Sequence, residues 1–410
     1  MGASASAVVA EHGEGFTNGV RFYSVQRSYT ATTSIAVFIK GGIFRETAAN
    51  SGIGALAMNV WAKGGKLLEL LEGIGGHIDA TSSLPDFHVI LLSVPTDTLS
   101  SVLPEFKKQL LEPEITSKLF NKEKDLLLRA IEAMEDDPNS VAFDKFMETT
   151  YGSHPYALHP TTKSVSKLKL GDVERHLKGI LTGADMVVAV SGRYSVAQLN
   201  EMKAIFKQVP AGVKCNVSLD NASIVEVARR EGTDSRIQQA KVFLAYTAPS
   251  ASSEDYVYAK IISDLLGGGM SSPYFSTLRK NKGYAYSVGM MYPSRLADSR
   301  MIGHIGLQVE NIEDAIKTMQ QLNAGFADKL KASELAAAKN HIVGERIMDM
   351  EANARSAWFA AFYESLGLGF DYSDAYIKAV RAAKIADIKR VGKNIFGEKH
   401  TIFILSPSKK

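Results

Sequence analysis

The chain has 410 residues, more than the roughly 250–300 at which a single core stops growing, so two domains are expected. Hydrophobic residues make up 45% and charged residues 22%, which excludes a disordered, collagenous or low-complexity chain. The formal net charge is +3 with no long block of either sign, so no nucleic-acid arm is expected, and the single cysteine, Cys215, excludes an intrachain disulfide or a Cys-rich zinc site.

In chain order, Met1 to His12 is rich in Ala and Ser but lacks a basic flank and an apolar stretch. It reads as a trimmed export signal or as a frayed terminus. No apolar run of 18 residues follows, so no membrane-spanning helix is expected. The patterning then predicts a strand at Ile35–Lys40, a helix at Gly52–Ala62 and a short amphipathic helix at Lys66–Gly73 stopped by Gly75 and Gly76. Two strands, His77–Ser83 and Phe87–Val94, are expected to pair around Pro85-Asp86. Helices Leu99–Leu111, Ser117–Glu135 and Val141–Tyr151 come next.

Val165–Ser191 and Val380–Ser406 then align without a gap at an offset of 215, sharing Val165/Val380, Lys169/Lys384, Asp172/Asp387, Arg175/Arg390, Lys178/Lys393, Ile180/Ile395 and Ser191/Ser406. Each copy reads as a helix followed by a strand, Met186–Val190 or Thr401–Leu405. A weaker echo pairs Ile35–Ile39 with Ala240–Leu244. The chain is thus expected to be a duplication joined by a linker at Val209–Ser223, with domains 1–214 and 215–410. The order of elements lacks the strict alternation of a doubly wound sheet, so the class is α+β with mostly antiparallel pairing.

Candidate chemistry is sparse. The nine histidines include no His-x-x-x-His or His-x-x-His pair, and His154 and His159 are separated by helix-breaking Pro155, so they read as loop residues. No G-x-S-x-G nucleophile signature is present. Gly267-Gly268-Gly269 ends a helix at Asp255–Leu266 and lacks the G-K-[ST] of a phosphate loop; it is a helix stop or a backbone cradle for an extended peptide. A helix at Ser271–Asn281 follows, ended by Gly283. Arg279 and Tyr286 flank that stop, either as a solvated arginine and a neighbour or as a pair able to stabilise an oxyanion.

The segment Gly267–Gly289, GGGMSSPYFSTLRKNKGYAYSVG, resembles the second-half motif of the M16 (pitrilysin, insulinase) metallopeptidases. Collinear first-half matches include Arg45-Glu46-Thr47, Ser51-Gly52-Ile53, Gly73–Ala80, Glu135–Pro138 and Val190-Ser191-Gly192, so the resemblance covers nearly the whole chain. It implies two homologous α+β domains of the M16/LuxS-like metallohydrolase type, each a mostly antiparallel sheet flanked by helices. In catalytic members an inverted His-x-x-Glu-His motif binds zinc; its positions fall here on Ala55, Met58 and Asn59. A later Glu ligand falls on Ala130, seven residues after Glu123. The resemblance therefore implies a chain without metal or cofactor of its own, inactive alone. The family's Arg/Tyr pair matches Arg279 and Tyr286, and its substrate-binding loop matches Gly267, Gly268, Gly269, Ser271 and Ser272. It implies the non-catalytic subunit of a heterodimeric zinc peptidase, with zinc in a partner carrying the intact motif and with unfolded or extended peptides as substrate. The alternative is a structural or peptide-holding subunit similar to the core proteins of the cytochrome bc1 complex. A bacterial periplasm is the expected compartment, with cytoplasm or mitochondrion as alternatives.

Overall fold

The computed structural model describes residues 9–217, 219–220, 222–285 and 287–408. The first half runs β1 (Val9–Gly15), β2 (Arg21–Gln26), β3 (Thr32–Lys40), α1 (Ile53–Lys63), α2 (Leu67–Ile74), β4 (His77–Leu84), β5 (Phe87–Pro95), α3 (Leu99–Leu111), α4 (Ser117–Asp136), α5 (Pro138–Tyr151), α6 (Thr162–Ser166), α7 (Leu170–Ile180), β6 (Met186–Gly192) and α8 (Val196–Lys207). The second half runs β7 (Ala228–Asp234), β8 (Ala240–Ala248), α9 (Tyr256–Gly267), a π-helical turn (Phe275–Asn281), β9 (Val288–Met291), β10 (Ser299–Leu307), α10 (Ile312–Lys329), α11 (Ala332–Glu351), α12 (Asn353–Ser365), α13 (Tyr372–Ala382), α14 (Ile385–Ile395) and β11 (Thr401–Pro407).

The strands form two sheets, ordered β1-β2-β6-β3-β5-β4 and β7-β11-β8-β10-β9. Apart from β1, the two orders are the same. In each, the first strand of the repeated set pairs in parallel with the last, β2 with β6 and β7 with β11, and the other pairs are antiparallel. The fold is α+β with mostly antiparallel sheets flanked by helices. The duplication extends further than the aligned segment: Ser117 and Ala332, Pro138 and Asn353, Leu170 and Ile385, and Met186 and Thr401 all begin matching elements 215 residues apart. β3 and β8 are also counterparts, but their starts, Thr32 and Ala240, are 208 apart. The Ile35/Ala240 alignment expected from sequence, an offset of 205, puts Phe38 level with Phe243, whose antiparallel partners Val89 and His304 are themselves 215 apart.

The compact units are not linear segments divided at 214 and 215. One comprises residues 1–131, 159–217 and 347–373; the other comprises 132–158, 218–346 and 374–410. Helix α12 thus belongs to the first unit and α5 to the second. The physical reason lies in the sheets. Seven consecutive residues of β3, Thr33–Ile39, are buried, so both faces need a cover. On the face carrying Phe38, that cover is α12: the Phe38 ring lies 5.3 Å from Trp358 and 6.1 Å from Phe362. In the second unit α5 covers β8, with Phe146 stacked on Phe243 at 4.9 Å.

An arginine secures each exchanged crossing. Arg27 Nη1 donates to the Met350 and Glu351 carbonyls at 2.7 and 3.3 Å, at the C-terminus of α11. Arg236 Nη1 donates to the Glu135 and Asp136 carbonyls at 3.1 and 2.9 Å, at the C-terminus of α4. A cation there satisfies carbonyls the helix leaves unpaired and complements its dipole. In the second unit Arg300, 1% exposed, adds donation to Thr150 Oγ1 at 2.8 Å and to the Thr150 carbonyl at 2.5 Å.

Candidate functional site

In the first unit, α1 is built as a core helix. Glu46 supplies its N-terminal cap, its Oε2 accepting from Gly52 N at 2.8 Å and its Oε1 from Gly54 N at 3.0 Å. Met58 is fully buried, Ala55 and Asn59 are partly buried, and Leu56, Ala57 and Trp61 pack in the same core. Glu123, 1% exposed, accepts from Lys63 Nζ at 2.6 Å, and Ala130 is exposed. A methyl, a buried thioether and an amide do not make the imidazole and carboxylate set that zinc needs, and the nearby carboxylate is held by a lysine. These positions therefore do not fit zinc. Among the described residues, no three His, Cys, Asp or Glu side chains group to hold a metal.

The same unit buries two imidazoles that no local pattern in the sequence announces. His88 of β5 and His176 of α7 lie edge to face, 5.3 Å between centroids. His88 Nδ1 shares a 2.5 Å hydrogen bond with Ser82 Oγ, while Nε2 of both rings is buried without a hydrogen-bond partner. Burial holds both rings in the neutral form: His176 is pushed down to about 4, with Arg45 adding to the effect, and His88 lies well below its ordinary value, with His176 and Arg45 adding. His154, expected in a loop, caps a 3-10 turn by accepting from Tyr156 N at 3.2 Å and is 5% exposed.

In the second unit the three loop glycines differ in what they do. A Cβ on Gly267 would lie 2.2 Å from Met290 N, and one on Gly268 would lie 2.3 Å from Asp264 Oδ1. Both are therefore required by packing, whereas a Cβ on Gly269 meets nothing within 4 Å. Ser271 is exposed; Ser272 is 7% exposed, and its hydroxyl accepts from Phe275 N at 3.4 Å. The expected α-helix at Ser271–Asn281 is instead a π-helical turn over Phe275–Asn281, in which Lys282 N donates to Thr277 O at 3.0 Å. The wider turn keeps Tyr274 and Leu278 buried and leaves Arg279 exposed, its guanidinium 4.9 Å from the Phe275 ring centroid. Tyr286 lies outside the described residues. Downstream, Asp314 accepts from Lys282 Nζ and from Tyr284 Oη, tying the exit of the turn to α10.

The peptidase M16 insulinase model matches residues 21–162, and the model of the peptidase M16 inactive domain matches residues 167–342. The chain belongs to peptidase family M16. Among curated M16 relatives, the zinc protease YmxG of Bacillus subtilis, itself described as uncharacterized, is 22% identical over 95% of this chain and 97% of its own length. Subunit 1 of the mouse mitochondrial cytochrome b-c1 complex is 23% identical over 79% of this chain and 71% of its own. Two crystal structures share the fold at 19% identity. A Helicobacter pylori protease superposes with a TM-score of 0.86, covering 97% of this chain and all (100%) of that one. A peptidase M16 inactive domain from Pseudomonas fluorescens gives 0.85, covering 98% of each chain.

Within this M16 chain, α1 with Ala55, Met58 and Asn59 belongs to the first unit and the glycine loop with Arg279 to the second. Beside that loop the second unit holds a cavity of about 660 Å³ reaching to α10 and α11. On its wall, His341 Nδ1 and Asp264 Oδ1 are 2.8 Å apart; the carboxylate raises the imidazole above its ordinary value, while burial raises Asp264. Neither the cavity nor this pair follows from spacing, since Asp264 and His341 are brought together from α9 and α11.

Proposed function

We propose that this chain is the non-catalytic subunit of a heterodimeric M16 zinc peptidase. Its part is to hold the substrate carbonyl through Arg279 and Tyr286 while the partner, carrying the intact inverted His-x-x-Glu-His motif, supplies the zinc. The observation that carries the reading is the contrast between the two halves. Ala55, Met58, Asn59 and Ala130 offer no donor set, whereas Arg279 and Tyr286, within the span 167–342 of the inactive-domain match, are the residues that the resemblance assigns to the family's Arg/Tyr pair. A guanidinium and a phenol hydroxyl are both donors to a developing oxyanion, and donors aimed at the transition state lower the barrier without performing the attack. Gly269 and Ser271 leave open backbone and hydroxyl beside them for an extended peptide.

The test is cleavage of an unfolded-protein digest and bound zinc, measured on the purified chain and on the complex recovered by native pull-down from its source. Zinc and chelator-sensitive cleavage are expected in the complex alone. Arg279→Ala is expected to lower cleavage by about 10²–10³ while the complex still assembles. The similarity to the bc1 subunit favours a second reading, a structural subunit. Under it, the complex is inactive and Arg279→Ala changes nothing.

A further inference from the structure

Six residues, Lys280 to Ala285, join Arg279 to Tyr286, and a side chain from another element holds that connector. Its backbone leaves the π-helical turn through Lys282 N, which donates to Thr277 O at 3.0 Å, and Tyr284 N, which donates to Leu278 O at 2.9 Å. Gly283 lies between them at φ +68°, the left-handed conformation that closes a helix and favours glycine. One carboxylate oxygen then fastens the connector to α10. Asp314 Oδ2 accepts from both Lys282 Nζ and Tyr284 Oη, the latter at 2.9 Å. These two donors hold the Asp314 carboxyl below its ordinary value, and the Lys282 ammonium also lies 5.3 Å from the Tyr284 ring centroid. Beyond Tyr286, Ser287 O accepts from Gly306 N at 3.0 Å.

An exposed ion pair at the start of a helix ordinarily contributes little, and Glu313 already pairs with Arg229 in the same turn of α10. The internal duplication shows what the Asp314 clip is not needed for. Val288 pairs with Ile305 as Ala80 pairs with Ile90, so β9 and β4 correspond at an offset of 208. That offset sets Gly283 level with Gly75, which closes α2 at φ +71°. Arg279, Lys282 and Tyr284 then fall on Leu71, Ile74 and Gly76. Helices α10 and α3, whose first residues Ile312 and Leu99 are 213 apart, set Asp314 level with Ser101. Ile74 and Gly76 offer no polar side chain, and the Ser101 hydroxyl donates to the Thr98 carbonyl at 2.7 Å instead. The same glycine stop therefore forms without a clip in the half that has leucine in place of Arg279.

We infer that Asp314 is a positioning residue for the Arg279/Tyr286 pair: by clipping Lys282 and Tyr284 to α10, it fixes the connector on which both donors are carried. Donors already in place lower a barrier without reorganising at the moment of reaction, so a slack connector costs rate even with both donors present. The inference rests on the proposed function for what the pair does. The clip itself is a property of this chain alone, which keeps the two separable.

The experiment has two readouts: hydrogen exchange at the Lys282 and Tyr284 amides of the full chain alone, and kcat and KM for cleavage by the recovered complex. Asp314→Ala is expected to speed exchange at both amides about 3- to 10-fold. In the complex it is expected to lower kcat about 10-fold with KM and bound zinc unchanged, less than the loss from removing a donor outright. Asp314→Asn, which keeps an acceptor oxygen, should lie between it and the parent. Glu313→Ala, which removes the neighbouring ion pair instead, should match the parent in both readouts. In an Arg279→Ala, Tyr286→Phe background, Asp314→Ala should cost nothing further, whereas a merely structural role would lower kcat equally in both backgrounds. That equal fall, unchanged exchange in Asp314→Ala, or unchanged kcat in an active complex would overturn the inference. A parent complex that cleaves nothing would sink the proposed function instead, and faster exchange in Asp314→Ala with none in Glu313→Ala would still uphold the clip.

Discussion

Acidification should weaken the first unit through His176. The ring is packed against His88, and its pKa is pushed down to about 4 by burial and by Arg45. In the unfolded chain it titrates near about 6.5, so between these values the unfolded state binds a proton that the folded state refuses. Its contribution to stability is complete above the unfolded value and is lost as pH falls toward the folded one. At pH 5 that loss amounts to about 2 kcal/mol from His176 alone. The groups facing the pair are Arg45, Ser82 and the Glu46 carboxyl; Arg45 opposes protonation and is itself held by Asp185 at 2.6 Å. The measurement is the urea midpoint of the parent and of His176→Phe at pH 7.5 and at pH 5. Carboxylates elsewhere titrate alike in both chains, so the difference between the two pH responses isolates the imidazole. The variant should lose about 2 kcal/mol less than the parent across that interval. Equal losses would show that His176 is not the titrating group.

Two further perturbations probe how the units are built. A chain cut to residues 1–214 lacks α12, so the sheet face carrying Phe38 and Phe87, which are 0% and 1% exposed in the full chain, loses its cover. That fragment should aggregate or bind a hydrophobic dye strongly, and adding a fragment containing α12 should reduce the dye signal. Gly54→Ala places a methyl 2.7 Å from His88 Cε1 and 2.8 Å from Glu46 Oε1. It should destabilise by about 1–3 kcal/mol in a denaturant titration, even though alanine is the better helix former.

Much of the local structure was readable from the order of residues. The helix at Leu99–Leu111 and the helix-strand pairs beginning at Leu170 and Ile385 follow from periodicity and from the repeat. The M16 membership was carried by the Gly267–Gly289 motif and its collinear companions. What was not readable depends on contacts far apart in the chain. Nothing local says that β6 inserts between β2 and β3, or that α12 covers a sheet whose strands lie some 300 residues earlier. The π-helical turn escaped because Tyr274 and Leu278 are buried in either kind of helix, so periodicity does not separate them. His88 and His176 gave no spacing signal because each contributes a single ring from a different element.

The reciprocal exchange of α5 and α12 also bears on how such a chain could arise. A half-length ancestor with this topology would present one apolar sheet face and one surplus helix. It would complete itself only against a second copy, each lending its helix to the other, as in an isologous homodimer. Gene fusion turns that reciprocal loan into an intrachain contact and releases the two copies from having to be identical. Arg27 and Arg236 still perform the same task in both halves. The side chains along α1 are under no such shared constraint, and the two halves can diverge there while the exchanged helices stay in place.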